Sequence, residues 1–287
     1  MVIAHAGFCF TVEYKAQKRL ISLTEFVCPH CNRVIRDIPW EHHFSILYGN
    51  EIIREMIHDQ KISIVVPVYN EQQTIELVLD QLISLPFRKE IIVIDDGSTD
   101  GTDEYIRSIA QSTGNIRFNR HTQNRGKGAA LRTGFAMVSG DIVIIQDADL
   151  EYDPREYGKL LLPILEGRAD VVYGSRFLSG PHRVLFYWHY VANKWLTTLS
   201  NLFTNLNLSD MTTCYKVFRT DILKDIQFKS DRFGFEPEFT AKIARQHFRI
   251  YEVGISYHGR DYTEGKKIRF KDAFVMLWCI LRYNLFG

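Results

Sequence analysis

Two aspartates one residue apart, Asp147 and Asp149, closely follow the apolar run Ile142–Ile145. At the end of a strand such carboxylates repel each other, and each has a raised pKa unless a cation lies nearby. Mg²⁺ or Mn²⁺ removes this repulsion, and Mg²⁺ is typically held by one or two carboxylates together with substrate phosphates. The alternative is a solvated turn with two exposed acids. The pair therefore predicts a divalent-metal site that takes a phosphorylated ligand.

Two further polar segments follow apolar runs and suit a nucleotide. In residues 67–71 (PVYNE), Pro67 fixes the exit of the chain from a strand, while Tyr69 and Glu71 can meet a base or a ribose. A capped helix start explains this segment equally well. In residues 95–98 (DDGS), Asp96 can accept the imide N–H of uracil or guanine. An N-cap or Asx turn without a ligand is the alternative there.

Glycines flank Lys127 in residues 124–130 (NRGKGAA), just before a predicted helix. Backbone N–H groups at a helix N-terminus and a lysine charge together favour phosphate. The spacing differs from that of a P-loop, which disfavours a nucleoside triphosphatase.

The elements that must position these residues are strands and helices in alternation. From residue 61 onward, apolar runs of strand length are followed by segments of helical period, which predicts an open, mostly parallel α/β sheet with right-handed crossovers. Ligands bind such sheets beyond the carboxyl ends of the strands. The expected strands cover residues 62–68, 91–94, 116–119, 142–145 and 170–173.

Four segments in this order resemble the family 2 glycosyltransferases with the GT-A fold: VPVYNE, VIDDGSTD, NRGKGAA and QDADL. The runs GSRF (174–177) and DMTTCYKVF (210–218) narrow the resemblance to the polyprenyl-phosphate hexosyltransferases, which include dolichyl-phosphate mannose synthase. The resemblance covers residues 61–272. It implies a Rossmann-like GT-A domain with C-terminal amphipathic helices and a small N-terminal extension.

The resemblance also implies roles for individual residues. Asp147 and Asp149 match the metal-binding pair, and Glu151 stands where mannose synthases often have Gln, as a third ligand. The cofactor implied is Mg²⁺ or Mn²⁺. The nucleotide-sugar positions are Pro67, Tyr69, Glu71, Asp96, Lys127 and Asp147.

The reaction implied is metal-dependent, inverting transfer of a hexose from a UDP- or GDP-sugar to a polyprenyl phosphate. The acceptor phosphate is already ionised near neutral pH, because the second pKa of a phosphoester is about 6. The site then needs cationic side chains to hold the acceptor phosphate, and a strong base is dispensable. Each candidate cation, taken alone, is also explained as a solvated surface charge. Arg176 directly follows a predicted strand, and Asp210 matches a functional acid of relatives, so both join Asp149 as catalytic candidates. The acceptor-phosphate candidates are Arg183, Lys216, Arg219, Arg260 and Lys266.

Other functions remain open at this point. Transfer to a polysaccharide or another hydroxyl acceptor requires a base, for which Asp210 or Glu236 would have to serve. A non-catalytic nucleotide-sugar-binding protein is disfavoured because both acids of the pair are present. A nucleotidyltransferase is disfavoured by the absence of an early glycine-rich triphosphate loop. The motifs fit uracil and guanine equally.

The 287 residues include 35 Lys and Arg against 34 Asp and Glu, for a formal net charge of +1. This charge excludes the electrostatic attraction on which nonspecific nucleic-acid binding depends. We expect no transmembrane helix, because no apolar stretch reaches the ~20 residues a span needs. Nor do we expect a signal peptide, because the N-terminus lacks a basic stretch followed by an apolar one.

Two aromatic-rich amphipathic segments, residues 183–208 and 270–286, are typical of helices that lie in a membrane interface. A core or dimer-contact helix is the alternative for the first. Many relatives carry transmembrane helices after the second. We expect a cytoplasmic enzyme, peripheral to the cytoplasmic face of a membrane or dependent on a membrane partner subunit, and an oligomer is compatible with the sequence.

The chain is expected to divide into an N-terminal extension (1–60), a GT-A catalytic domain (61–230) and a C-terminal acceptor-side, membrane-proximal segment (231–287). In the extension, Cys28 and Cys31 form half a zinc site that His42 or His43 would complete, a redox pair, or two ordinary thiols. The five cysteines, an odd number at irregular spacing, favour a reducing compartment.

Overall fold

The computed structural model describes residues 60–178, 182–184, 186–261 and 270–286, and four short strands nearer the N-terminus. The chain forms two compact units, Met1–Leu47 and Tyr48–Gly287. In the first, β1 (Val2–His5) pairs antiparallel with β2 (Phe8–Thr11), and β3 (Phe26–Val27) pairs antiparallel with β4 (Val34–Ile35). Cys28, Cys31, His42 and His43 lie outside the described residues, so the zinc hypothesis and the expected domain limits stay predictions.

The second unit contains a seven-stranded sheet among its described residues. Its strands are β5 (Ile62–Val68), β6 (Lys89–Asp95), β7 (Ile116–Arg120), β8 (Ile142–Ile145), β9 (Val171–Ser175), β10 (Lys216–Arg219) and β11 (Ile250–Gly254). Their spatial order is β11-β9-β10-β8-β5-β6-β7. Strand β10 is antiparallel to both of its neighbours, and every other pair is parallel. The predicted mostly parallel sheet is thus confirmed.

Helices cover both faces of this sheet, as expected for strands that are Ile- and Val-rich and buried on both sides. The helices are α1 (Ile75–Ser84), α2 (Thr102–Ser112), α3 (Lys127–Phe135), α4 (Tyr157–Leu165), α5 (Tyr187–Thr204), α6 (Ile222–Asp225), α7 (Phe235–Arg245) and α8 (Phe270–Leu285), with a 3₁₀ turn at Pro154–Glu156. Buried side chains of α1, α2 and α4 form one core layer with the sheet, and those of α3, α5, α7 and α8 form the other.

The strand order reverses beside β5. The chain runs from β5 outward through β6 and β7, and then returns to place β8 on the other side of β5. A crevice opens beyond the carboxyl ends of two strands at such a switch point. Residues 67–71 and the Asp147/Asp149 pair therefore lie at one rim. Within the described part of the chain, every helix is too short or too polar to cross a membrane.

Candidate active site

A cavity of about 1000 Å³ lies at this rim and extends to the N-terminal turn of α5 and to α8. It includes most of the residues singled out from the sequence. Those that line it are Pro67, Tyr69, Glu71, Asp96, Lys127, Asp147, Asp149, Glu151, Arg176, Arg183 and Arg260. Asp210, Lys216 and Arg219 are not among its lining residues.

Asp96 holds the loop that leads into α3. Its carboxylate lies 2.6 Å from Nδ1 of His121 and accepts hydrogen bonds from the backbone N–H groups of Arg125 (3.0 Å) and Gly126 (2.6 Å). The N–H of Ala129, in the first turn of α3, donates to the backbone carbonyl of Asp231, 3.0 Å away. Several N–H groups that the glycine-rich segment was expected to offer to phosphate are therefore already satisfied.

Lys127 is paired with the first acid of the Asp-x-Asp segment. Its Nζ lies 2.6 Å from Asp147 Oδ1 and 3.9 Å from Glu236 Oε1. Burial disfavours the charge of both partners, but their mutual attraction is stronger: the pKa of Lys127 is raised well above its ordinary value, and that of Asp147 is lowered. Asp147 is thus ionised, with part of its charge balanced by Lys127.

Arg260, from the loop after β11, lies among three carboxylates. Its guanidinium donates to both Glu71 oxygens (3.1 Å each) and to Asp149 Oδ2 (2.9 Å), and its backbone N–H donates to Glu151 Oε1 (2.9 Å). Negative charge still exceeds positive charge around Asp149. Burial, followed by repulsion from Asp147 and Glu151, raises the pKa of Asp149 to about 7.

The residues present suit a divalent cation in type. Asp147, Asp149 and Glu151 supply the carboxylate oxygens that Mg²⁺ and Mn²⁺ prefer, and the raised pKa of Asp149 marks a place where a further cation is favourable. Nowhere in the described ranges, however, are three or more His, Cys, Asp or Glu side chains already gathered as a metal site. Substrate phosphates would have to complete the ligand set, as is usual for Mg²⁺.

Arg176 and Asp210 form a buried ion pair next to the cavity. Arg176 donates through Nε and Nη2 to the two Asp210 oxygens at 2.7 and 2.8 Å, and through its backbone N–H at 3.1 Å. Asp210 is 0% exposed, and Arg176 holds its pKa below the ordinary value although burial opposes this. Of the two, only Arg176 lines the cavity. Asp210 therefore holds Arg176 in place, and its catalytic role stays a prediction.

Two predicted acceptor-phosphate residues, Lys216 and Arg219, differ in their surroundings from the residues that line the cavity. Lys216 is 0% exposed and donates to the backbone carbonyls of Met211 (3.4 Å) and Thr213. Arg219 pairs in register with Ile142, at the start of β8. It therefore lies at the opposite end of the strands from the cavity. Neither residue lines the cavity, and the acceptor-phosphate role of both stays a prediction.

The other predicted cations differ in their position. Arg183 lines the cavity, donates to the carbonyl of Gly259 (3.2 Å) and lies 3.5 Å from Asp261. Lys266 lies outside the described residues, so its role stays a prediction.

Glu238 accepts hydrogen bonds from two backbone N–H groups and from Lys242, which makes it a structural residue.

A tyrosine after β11 is a cavity residue that the sequence did not identify. The hydroxyl of Tyr257 donates to Glu151 Oε2 at 2.8 Å, and the ring lines the cavity. The sequence signal for Tyr257 is its position just after the run Ile250–Gly254. This strand is parallel to β9 and so ends at the same rim.

Residues suited to bind a nucleotide, a metal ion and a phosphate thus line one cavity. The family model described as Glycosyl transferase family 2 matches residues 63–227. The chain belongs to this family. It is therefore a glycosyltransferase, and the resemblance of the sequence motifs to family 2 is confirmed.

Relatives of this family 2 glycosyltransferase include two undecaprenyl-phosphate enzymes. The undecaprenyl-phosphate mannosyltransferase of Micrococcus luteus is 30% identical over 209 residues, which cover 70% of this chain and 85% of the relative. The undecaprenyl-phosphate 4-deoxy-4-formamido-L-arabinose transferase of Edwardsiella ictaluri is 30% identical over 72% of this chain, and the match covers only 63% of that relative.

A third relative and two solved structures extend the comparison. The dodecaprenyl-phosphate galacturonate synthase of Rhizobium johnstonii is 26% identical, and the match covers 73% of this chain and 62% of the relative. Glucosyl-3-phosphoglycerate synthase of Mycobacterium tuberculosis with Mn²⁺, UDP and phosphoglyceric acid superposes with a TM-score of 0.65 at 23% identity, covering 83% of each chain. The same enzyme with Mg²⁺ and UDP gives a TM-score of 0.62 at 24% identity, covering 82% of this chain and 83% of that one. These structures confirm the predicted GT-A fold.

Proposed function

We propose that this glycosyltransferase transfers a sugar from a nucleoside diphosphate sugar to a polyprenyl phosphate, with Mg²⁺ or Mn²⁺ as cofactor. One observation carries the proposal: a single cavity joins the carboxylates at the strand ends to Arg176, Arg183 and the aromatic start of α5. The polyprenyl-phosphate acceptors named for the relatives support the acceptor class. UDP and Mn²⁺ in the structural neighbour support the donor class.

The donor half of the site lies at the ends of β5 and β8. Tyr69 and Glu71 flank the position expected for the nucleoside, and Asp96 keeps the neighbouring loop closed against the end of β6. Asp147, Asp149 and Glu151 would hold the cation. Such a cation neutralises negative charge that develops on the departing nucleoside diphosphate.

The acceptor half requires cations, because an ionised phosphate can attack the anomeric carbon without a base. Arg176 is fixed by Asp210 and faces the cavity, and Arg183 lines the same space. The alternative, a hydroxyl acceptor, requires a base that reaches the cavity. Asp210 is fully buried and bound to Arg176, and Glu236 is 2% exposed and absent from the lining, so both are poor candidates.

The membrane-facing surface is proposed to be the exposed side of α5 and α8, which pack against each other. On α5, Trp188, Trp195 and Leu202 recur at every seventh position, which places them on one face. These three residues, together with Phe274, Trp278 and Leu285 of α8, are between 55% and 77% exposed. Aromatic side chains on an amphipathic helix suit the lipid interface. The proposed location is therefore the cytoplasmic face of a membrane, while a partner subunit and oligomerisation stay predictions.

A transfer assay tests this proposal. The full chain is incubated with Mn²⁺, a short polyprenyl phosphate and radiolabelled UDP-glucose or GDP-mannose. Label that moves into the organic phase with one donor supports the proposed reaction. Label that moves only to a water-soluble glycan, when one is added as a competing acceptor, would favour the hydroxyl-acceptor alternative. Asp149→Ala should abolish transfer with the fold intact, and near-normal transfer by this variant would contradict the metal assignment.

A further inference from the structure

The guanidinium of Arg260 is hydrogen-bonded to Asp149, one of the carboxylates at which a metal ion would be expected. It bridges Glu71 and Asp149, and its backbone N–H is bound to Glu151. Asp149 Oδ2 and Glu151 Oε1, two oxygens expected to serve a cation, are thus hydrogen-bonded to Arg260. A divalent ion bound there would also lie next to the positive guanidinium.

The local charge balance favours replacing this arginine by a stronger cation. Three carboxylates (Glu71, Asp149, Glu151) meet one cation, Arg260, which leaves a formal excess of two negative charges around it. A divalent ion that entered without displacing Arg260 would cancel this excess but would be repelled by its neighbour. Displacement avoids the repulsion and frees carboxylate oxygens.

Arg260 is also incompletely satisfied where it lies. Its Nε is buried, has no hydrogen-bond partner in the described part of the chain, and lies 3.6 Å from Glu151 Oε1. A buried donor without a partner is costly, and permanent structural arginines normally satisfy theirs. A guanidinium released from the carboxylates has five donors suited to phosphate oxygens.

We propose that Arg260 is a latch that fills the cation position of the unloaded enzyme and that metal binding displaces it. The displaced arginine would then face the phosphates of the substrates. This inference rests on the proposed metal-dependent function, and it adds a competition between one side chain and the cofactor. Displacement should also loosen residues 257–260, because the N–H of His258 and that of Arg260 are both bound to Glu151.

The affinity for Mn²⁺ alone, measured by titration calorimetry on the full chain, tests the latch. If the latched state dominates by about ten to one, Arg260→Gln should bind Mn²⁺ about tenfold more tightly than the wild type. Arg183→Gln removes an equal charge from the same cavity and serves as the matched control. An equal gain in both variants would indicate a general field effect and overturn the latch, as would an unchanged affinity in Arg260→Gln.

Hydrogen exchange of the wild-type chain gives a second test that needs no variant to fold. Adding Mn²⁺ should speed exchange of the amides of His258 and Arg260, because their hydrogen bonds to Glu151 are released. Unchanged or slower exchange would contradict displacement. Both measurements use Mn²⁺ without donor or acceptor. The latch can therefore fail while sugar transfer is observed, and transfer can fail while the competition is observed.

Discussion

Asp149 is the residue at which charge is least balanced. Burial and the neighbouring Asp147 and Glu151 raise its pKa to about 7, so an appreciable fraction of this carboxyl is protonated at neutral pH without a metal ion. A metal ion binds the ionised form and must displace the proton. Metal binding at the proposed site would thus be coupled to proton release within the physiological range.

We therefore predict that Mn²⁺ affinity depends on pH in one direction. The pKa is raised, so the binding form predominates above about pH 7 and is lost below it. Affinity should be nearly constant above about pH 8 and should fall by up to about tenfold per unit as the pH drops below about 7, because one proton competes with the metal ion. Calorimetric titration at several pH values checks this. Asp149→Asn removes the titrating group, so the variant should show weaker binding with a flatter profile, and a flat wild-type profile would contradict the prediction.

The Arg176–Asp210 pair gives a second prediction at the level of single residues. Asp210→Ala leaves the guanidinium of Arg176 buried without its counter-charge, which should cost about 3–5 kcal/mol of unfolding free energy. Arg219 and Asp221 form a pair in which both side chains are about half exposed, so Asp221→Ala should cost at most about 1 kcal/mol. Urea denaturation of both variants measures the difference. Similar losses would show that Asp210 does not carry the proposed positioning role.

At the level of secondary-structure elements, α5 and α8 combine two tasks. Their inner sides contribute Leu196 and Ile280 to the core, and residues near the N-terminal ends of both helices line the cavity. Their outer sides expose large aromatic residues. A helix pair of this kind can bring the cavity mouth next to a lipid headgroup, which is where a polyprenyl phosphate presents its phosphate.

We predict that the outer aromatic residues control binding to vesicles. Replacing both Trp195 and Trp278, which lie away from the cavity, by Ser should weaken partitioning onto anionic lipid vesicles by at least about tenfold, since each buried aromatic contributes about 1.5–3 kcal/mol. Leu77→Ser on α1 removes an exposed apolar residue of another helix and should have little effect. Sedimentation with vesicles measures partitioning. Equal binding by all three proteins would contradict a membrane role for this surface.

Site residues could be predicted from the sequence where they follow parallel strands, and not where a strand runs antiparallel. Parallel strands end at one rim, so Tyr69, Asp96 and Asp149 could be placed together from their positions after apolar runs. Arg219 lies at the opposite rim, because β10 runs antiparallel to its neighbours and so ends away from the cavity. Strand direction is fixed by tertiary pairing and leaves no local signal in so short a run.

The surroundings of the Lys216 and Arg260 side chains could not be predicted from the sequence either. Lys216 was predicted to bind the acceptor phosphate, yet carbonyl oxygens and the ring of Tyr173, 4.9 Å away, surround its ammonium. Its pKa is lowered to about 8 by burial. Arg260 meets Glu71, which is 189 positions away in the chain. Such long-range contacts arise only when β11 docks beside β9.

At the scale of the whole molecule, the sheet brings the proposed donor and acceptor halves into a single cavity. The proposed donor half comes from β5, β6 and β8 of the seven-stranded sheet. Most of the acceptor half comes from β9, α5 and the loop after β11, which lie on the other side of β8. Each half depends on the other for its charge balance, because Arg260 neutralises carboxylates at the ends of β5 and β8.

This interdependence predicts that metal and nucleotide stabilise the fold together. Asp147, Asp149 and Glu151 do not form a complete metal site by themselves in the described structure, so the cation should bind tightly only when a diphosphate supplies further oxygens. At about 100 times the dissociation constant, a bound ligand adds about 2.7 kcal/mol to the unfolding free energy. We therefore expect Mn²⁺ plus one of UDP or GDP to raise the melting temperature by several degrees, and by more than the separate effects of ion and nucleotide added together. Thermal denaturation with each nucleotide, with and without Mn²⁺, would identify the base that the site accepts. The Asp149→Asn variant should lose the joint effect but keep its ligand-free melting temperature within a few degrees of the wild type, whereas purely additive effects in the wild type would contradict a metal site completed by the donor.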